Sequence, residues 1–240
     1  MSNYKPAYTY NPTTGELTGE TKAWESPLEP GIYHLPANAT YTLPIAANEK
    51  EVACWDSATS KWESRPDHRG ETWWHTTTKE KKEIKEIGAI DTTSYTQMEP
   101  SDYAAEWSGT AWVVPFDVLK QRKITDIKRE FNLYVGGSFV CSLGYPMQFD
   151  RKDSLAMEGA IKLLEASGAQ TGYLTDANDV SHYDVALADI QKVQMEMLST
   201  YAAAHAKKQS LREQVEIAKN ETELAGITIT FGGTNNVNNK

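Results

Sequence analysis

The residues of this chain best equipped for chemistry are consecutive: Asp67, His68 and Arg69, followed by Gly70 and Glu71, place a carboxylate, an imidazole and a guanidinium between tryptophan-rich segments. Such a trio could run general acid–base chemistry. In an extended strand, however, Asp67 and Arg69 share a face while His68 points away, so the three converge only if the chain turns. General base catalysis also needs a nucleophile beside an oriented base, and the chain has no Gly-x-Ser-x-Gly elbow. The alternative is a structural turn in which Asp67 accepts backbone N–H bonds, Arg69 pairs with a carboxylate and Gly70 takes a positive φ. Polar turn clusters far outnumber active sites, so the expectation is a scaffold and a protein that is not an enzyme.

Other chemistries find less support. The histidines at 34, 68, 75, 182 and 205 show neither His-x-His nor His-Glu-x-x-His spacing, so no metal is expected. Asp176-Ala177-Asn178-Asp179 begins like a calcium loop, but the later glycine and bidentate glutamate do not follow, which leaves a turn. Gly136-Gly137 and Gly232-Gly233 lack the Lys-Ser/Thr of a phosphate loop, and no cofactor is expected. Cys54 and Cys141 are isolated and read as buried small hydrophobes. A net charge of −9 disfavours nucleic acid as a partner. No apolar run approaches the roughly 18 residues of a membrane span, and the start lacks a signal-peptide layout, so a cytoplasmic location is expected.

The elements that must position these residues divide the chain in two. All seven tryptophans lie before residue 113, and nine of the ten prolines fall in the first 115 residues. Those prolines cut this half into pieces too short for regular helices. Asn11-Pro12-Thr13-Thr14-Gly15-Glu16 predicts a hairpin turn between residues 8–10 and 17–24. A second hairpin pairs residues 51–55 with 61–65 and sets Trp55 near Trp62, and a third strand spans 71–76. Residues 27–36, with three prolines, read as an extended arm. The charged run 79–86 reads as a solvated strand or loop. Strand alternation sends Trp73 and Trp74 to opposite faces, so one of them is expected to be exposed or covered by another chain.

The second half changes period. Ile124, Ile127, Phe131 and Tyr134 share one face of a helix that starts near Asp117 and ends at Gly136-Gly137. A hairpin or short strand is expected over 138–145. Another helix is expected from Asp153 as N-cap to Gly168, with Met157, Ala160, Ile161 and Leu164 inward. From Asp184 to about Lys219 there is no Gly or Pro, and Leu187, Ile190, Met197, Tyr201, Ala204, Leu211, Val215 and Ala218 keep a spacing of threes and fours. That predicts a helix of roughly 36 residues, about 54 Å long. It either breaks near Ala202–Ala204 or packs as a helical hairpin or small bundle, since Gln194 and Lys208 interrupt the apolar seam. Asn220-Glu221-Thr222-Glu223 starts a short last helix.

The fold class is therefore α+β: an antiparallel, tryptophan-rich β-region followed by a mainly helical domain with one long helix. The expected divisions are an arm with a hairpin over 1–48, a small β-domain over 49–115, a helical domain over 116–230 and a flexible tail over 231–240. The exposed indole of the Trp73-Trp74 pair and the helix face of Leu187, Ile190, Met197 and Tyr201 are the candidate partner-binding residues.

From Trp62 to about Val114 the sequence resembles the phage tail-fibre assembly family. The resemblance rests on Trp62, Asp67-His68-Arg69-Gly70-Glu71-Thr72, Thr76-Thr77-Thr78, Glu86-Ile87-Gly88, Pro100 and Trp107-Ser108-Gly109-Thr110-Ala111-Trp112-Val113. The opening Tyr10-Asn11-Pro12-Thr13-Thr14-Gly15-Glu16 is also similar to the start of such phage tail proteins. From about Arg122 to Ile227 the chain is similar to an uncharacterised domain at the ends of phage tail and tail-fibre proteins. That likeness rests on Phe149-Asp150-Arg151-Lys152-Asp153-Ser154, Tyr173-Leu174-Thr175-Asp176-Ala177-Asn178 and Glu223-Leu224-Ala225-Gly226-Ile227. The resemblance implies a chaperone-like protein that works in the host cytoplasm, binds a trimeric tail-fibre subunit, helps it fold and in some phages stays on the virion. A permanent tail-fibre or baseplate component that self-associates through the long helix, and a host-glycan-binding module using Trp73 or Trp74, are the alternatives.

Overall fold

Asn11 organises the first turn. In the computed structural model, which describes residues 3–232, its Oδ1 accepts from the backbone N–H groups of Thr13 (2.8 Å) and Thr14 (3.1 Å). Gly15, at φ +76°, then reverses the chain. The flanking strands, β1 (Tyr4–Tyr10) and β2 (Leu17–Glu25), pair antiparallel with Tyr4 opposite Trp24 and a register shift between Thr9 and Tyr10. Residues 27–36, expected as an extended arm, turn back onto the sheet edge. Ser26 N–H closes a turn onto the Ile32 carbonyl at 2.7 Å, and β3 (Tyr33–His34) adds to the edge of β2. Two residues are as much strand as the flanking prolines permit. With β4 (Ala39–Thr40) on the other side, the sheet order is β3-β2-β1-β4 over a small cluster of Ala7, Ala23, Ala39 and Tyr33.

The second hairpin, β5 (Glu51–Asp56) and β6 (Lys61–Pro66), sets Trp55 opposite Trp62 with ring centroids 5.4 Å apart, edge to face. Tyr10 joins them at 5.9 Å from Trp55. Then β7 (Thr72–His75) forms the centre of a three-stranded sheet with β8 (Lys81–Glu83) and β9 (Tyr95–Thr96), and β8 is fully solvated, as its alternating charges require. A last hairpin, β10 (Glu106–Trp107) and β11 (Trp112–Val113), pairs Trp107 with Trp112 at 5.4 Å. These strands belong to one compact unit, Met1–Val113; a second comprises Val114–Lys240.

The second unit opens with α1 (Phe116–Val135), which ends at Gly136, and the hairpin β12 (Ser138–Val140) and β13 (Pro146–Gln148). Helix α2 (Arg151–Ser167) ends at Gly168 in the left-handed region, φ +71°. Its N-cap is Asp150 rather than Asp153: the Asp150 side chain, on extended backbone, accepts from Asp153 N–H at 2.9 Å. Ala160 faces outward, because the buried stripe runs through Ser154 and Ile161. The hairpin β14 (Thr171–Thr175) and β15 (Ser181–Ala186) includes Asp184, so α3 starts three residues later than the sequence pattern implies and runs Leu187–Ile217. Thirty-one residues without interruption carry it past Ala202–Ala204. The N-cap at Asn220 forms as expected, with its Oδ1 accepting from Glu223 N–H at 2.9 Å, while Glu223 Oε2 reaches one residue further back than a capping box does, to Lys219 N–H at 2.8 Å. The cap starts α4 (Glu221–Gly226). The expected tail beyond Gly232 lies outside the described residues.

Helix α3 serves two cores. Ile190, Val193, Met197 and Ala204 pack with Phe131, Val135, Met147, Phe149, Ile161 and Leu174, while Leu211 and Val215 pack with Ile127, Ala218, Leu224 and Ile227. Helix α1 therefore runs antiparallel to it: Phe131 meets Tyr201, and Lys120 Nζ meets the Glu216 carbonyl.

The tightest backbone approach of the first unit is at Gly15. Trp55 N–H donates to its carbonyl at 2.7 Å, and a Cβ at Gly15 would lie 2.5 Å from the Trp55 carbonyl oxygen. Gly15→Ala combines that clash with a positive φ and is expected to cost about 2 kcal/mol or more, read as a lower midpoint in urea unfolding.

Candidate functional site

The Asp67–Gly70 turn is tied at its backbone to three other segments. Asp67 N–H donates to the Lys50 carbonyl (2.8 Å), Gly70 N–H to Ile84 (2.9 Å), and Gly88 N–H to the Pro66 carbonyl (2.9 Å). Gly70 sits at φ +81°, where a side chain is strained.

Side chains then close the knot. Asp67 Oδ1 accepts from Arg69 N–H (3.1 Å) and Nε (2.8 Å), and Asp67 Oδ2 from Nη2 (2.6 Å). The rest of the guanidinium forks onto Glu16, with Nη2 at 2.6 Å and Nη1 at 3.1 Å. Arg69 thus staples the first hairpin to the turn. Its hydrogen bonds to Asp67 and Glu16 raise the guanidinium pKa further, and Arg69 holds the Asp67 carboxyl below the usual carboxylate range.

Glu71 is the hub, and the sequence reading gave it no role. Its Oε1 accepts from Lys50 Nζ at 2.8 Å, and its Oε2 from Trp73 Nε1 (3.0 Å) and Gln97 Nε2 (2.7 Å). His68 Nδ1 lies 3.1 Å from the same Oε2, so the Nδ1–H tautomer donates there. Lys50 first, then Trp73 and His68, pull the Glu71 pKa down to about 2. No Ser, Thr or Cys is hydrogen-bonded to His68 among the described residues. The trio is brought together as a structural junction, with the imidazole held against a carboxylate and the Trp73 ring edge 5.9 Å away.

The other predicted residues are distributed as follows. Trp73 is buried, 9% exposed, with its indole N–H satisfied by Glu71. Trp74 lies half-buried on the opposite face, opposite Lys81 and Thr96. Leu187 and Tyr201 are half-buried. Ile190 and Met197, each 1% exposed, are enclosed in the core of their own unit and present no surface to a partner. This is a correction with a simple cause: apolar residues spaced for a helix face mark burial without saying whose atoms bury them.

One surface pair went unnoticed. Tyr4 and Trp24 are each 48% exposed with ring centroids 5.4 Å apart, and Lys22 Nζ sits 4.3 Å from the Tyr4 ring centre. The Asn11 turn fixes the register that makes them opposite, so counting strand partners outward from it would have found them. In the second unit Asp176 forms the expected turn, accepting from Asn178 and Val180 N–H, and also holds His182 Nε2 at 3.0 Å. The His182 ring stacks on Tyr145 at 3.5 Å. Both cysteines are free and buried, and no cluster of three metal-ligating side chains gathers among the described residues.

Part of the chain is similar to the prophage tail fiber assembly protein homolog TfaE of Escherichia coli (strain K12). Identity is 36% over 81 residues, which is 33% of this chain and 39% of that protein. The chain thus spans about two fifths of that relative's length. No protein-family model and no solved structure matches the chain.

The Glu71 knot carries a pH signature. Its folded pKa, about 2, lies below the unfolded value near 4.5. The stabilisation is complete above the unfolded pKa and is lost as pH falls from about 4.5 towards 2. Tryptophan fluorescence followed through that window should show an acid transition, and Glu71→Gln should flatten it and lower stability at pH 7. An unchanged acid profile in the variant would remove Glu71 from this role.

Proposed function

We propose that this chain is a non-enzymatic, chaperone-like phage tail-fibre assembly protein that binds a trimeric tail-fibre subunit and can remain with it on the virion. The observation that carries this reading is the 36% identity over 81 residues to a protein bearing that assembly name. The geometry supports it in two ways. The most distinctive polar cluster, around Arg69 and Glu71, is spent on joining chain segments. The exposed aromatic pair Tyr4–Trp24 and the half-buried Trp74 remain available to another chain. An unassembled fibre chain shows unpaired strand edges and apolar surface until three copies meet, and an aromatic, strand-edged surface can cover them.

No helix among the described residues is long and apolar enough to cross a membrane. The site of action in this reading is the cytoplasm of the infected host, where fibres are made.

Co-expression with the fibre chain tests the proposal. The fibre should become soluble and trimeric with the protein and aggregate without it; a fibre that trimerises equally well alone defeats the chaperone role. Trp24→Ala, at an exposed position, should leave the melting temperature unchanged yet lower the trimer yield by about tenfold, as loss of an aromatic anchor does. Mass spectrometry of purified virions reads retention directly, since a transient helper is absent from them.

A further inference from the structure

Helices α2 and α3 enclose a groove of about 560 Å³ that the fold itself does not fill. Its floor is apolar: Leu155 is 58% exposed, Leu198 is 42% exposed, and Ala202 and Ala206 stand one turn apart on α3. Small side chains at that spacing let another helix come close, and two helical walls offer ridges for a third helix rather than hydrogen bonds for a strand.

The polar atoms of the groove are left wanting. Ser154 is 7% exposed, lines the groove, and its Oγ makes no hydrogen bond among the described residues. Arg151, beside it in the first turn of α2, has no carboxylate within salt-bridge distance among those residues, whereas Glu158 is already neutralised by Lys162 at 2.5 Å.

His205 closes the groove, and beyond it the same side of α3 continues with Lys208 and Arg212, while Lys128 joins from α1. Lys208 lies 4.0 Å over the Phe131 ring. Burial, together with the charges of Arg212 and Lys128, lowers its pKa. None of the three cations pairs with a carboxylate among the described residues. In a chain of net charge −9, unpaired cations are gathered at both ends of one apolar groove.

We propose that this groove docks an amphipathic helix of a partner protein, apolar on the face that enters and acidic on its flanks. One acidic group meets Arg151, and others meet Lys208, Arg212 and Lys128. A second copy of this chain is disfavoured as occupant, because a two-fold interface sets a patch against itself and would oppose these cations to one another. The inference does not rest on the fibre reading, since the partner is defined by its chemistry alone.

The test uses the full chain and a fluorescein-labelled peptide amide of about four helical turns, leucine on one face and glutamate on both flanks. A matched peptide carries lysine in place of glutamate. The glutamate peptide should bind at least about tenfold more tightly, Ala202→Glu should weaken it by about tenfold or more, and the double variant Lys208→Glu with Arg212→Glu should narrow or invert the preference. Circular dichroism melts confirm that these surface variants fold. If one does not, the affinity of the parent for the glutamate peptide must fall as salt is raised. Equal affinity for the two peptides, binding of neither, or full binding by Ala202→Glu overturns the proposal. So does a dimer that Ala202→Glu dissolves, or binding of phosphatidylglycerol vesicles in place of the peptide.

Discussion

Four donors from four places in the chain, Lys50, His68, Trp73 and Gln97, converge on the Glu71 carboxylate and add to the backbone bonds that join those segments. Among its buried apolar residues Ile84 is the one large aliphatic; the others are alanines, Cys54, Trp62 and Trp73. So thin a core cannot hold short strands in place by area alone. Charged hydrogen bonds and aromatic edges take over. Arg69 ties the first hairpin to the turn, Gly15 brings that hairpin against Trp55, and Trp62 Nε1 reaches the Thr42 carbonyl at 2.9 Å. Such a scaffold is stiff where its polar groups are satisfied and sensitive to any change that leaves one buried without a partner.

The second unit solves the same problem conventionally. Its two clusters contain Phe, Ile, Leu, Met and Val in quantity, and α3 threads both. A helix of 31 residues is stable in water when a stripe along its length is buried, and α1 and α4 supply the cover for its second half. The opposite side of α3 then stays uncovered, with Met195 64% and Leu198 42% exposed. That uncovered side borders the groove with α2.

Local chemistry was the legible part of the sequence. Proline, glycine and asparagine placed the Asn11 turn, the N-cap at Asn220 and the Gly168 helix end, because these residues act through their own backbone. The Trp55–Trp62 pair followed from hairpin register. What a neighbour decides was not legible. Asp150 and Asp153 are equally good caps in isolation, and the first takes the role by accepting from the backbone N–H of the second. Asp184 falls inside β15 at the register shift of its pairing with β14, with φ +56°, a conformation that no α-helix accepts. Glu71 was passed over since its four donors lie up to 26 positions away. Ile190 and Met197 read as a partner face because the hairpins that cover them carry no mark of doing so.

These cases share a cause that bears on function. In this chain the residues that stand out by type, Asp67, His68, Arg69 and Trp73, are those whose polar atoms are already occupied by other parts of the same molecule. Recognition of a partner requires the reverse: apolar area still in water, and charges or hydroxyls with bonds still to make. Tyr4–Trp24, the Leu155–Leu198 floor, Arg151 and the Lys128–Lys208–Arg212 cluster meet that condition. None of them forms a motif, since their members come together only across a hairpin or between helices. Satisfaction of hydrogen-bonding capacity, more than residue type, separates the framework of this protein from the surfaces still open to a partner.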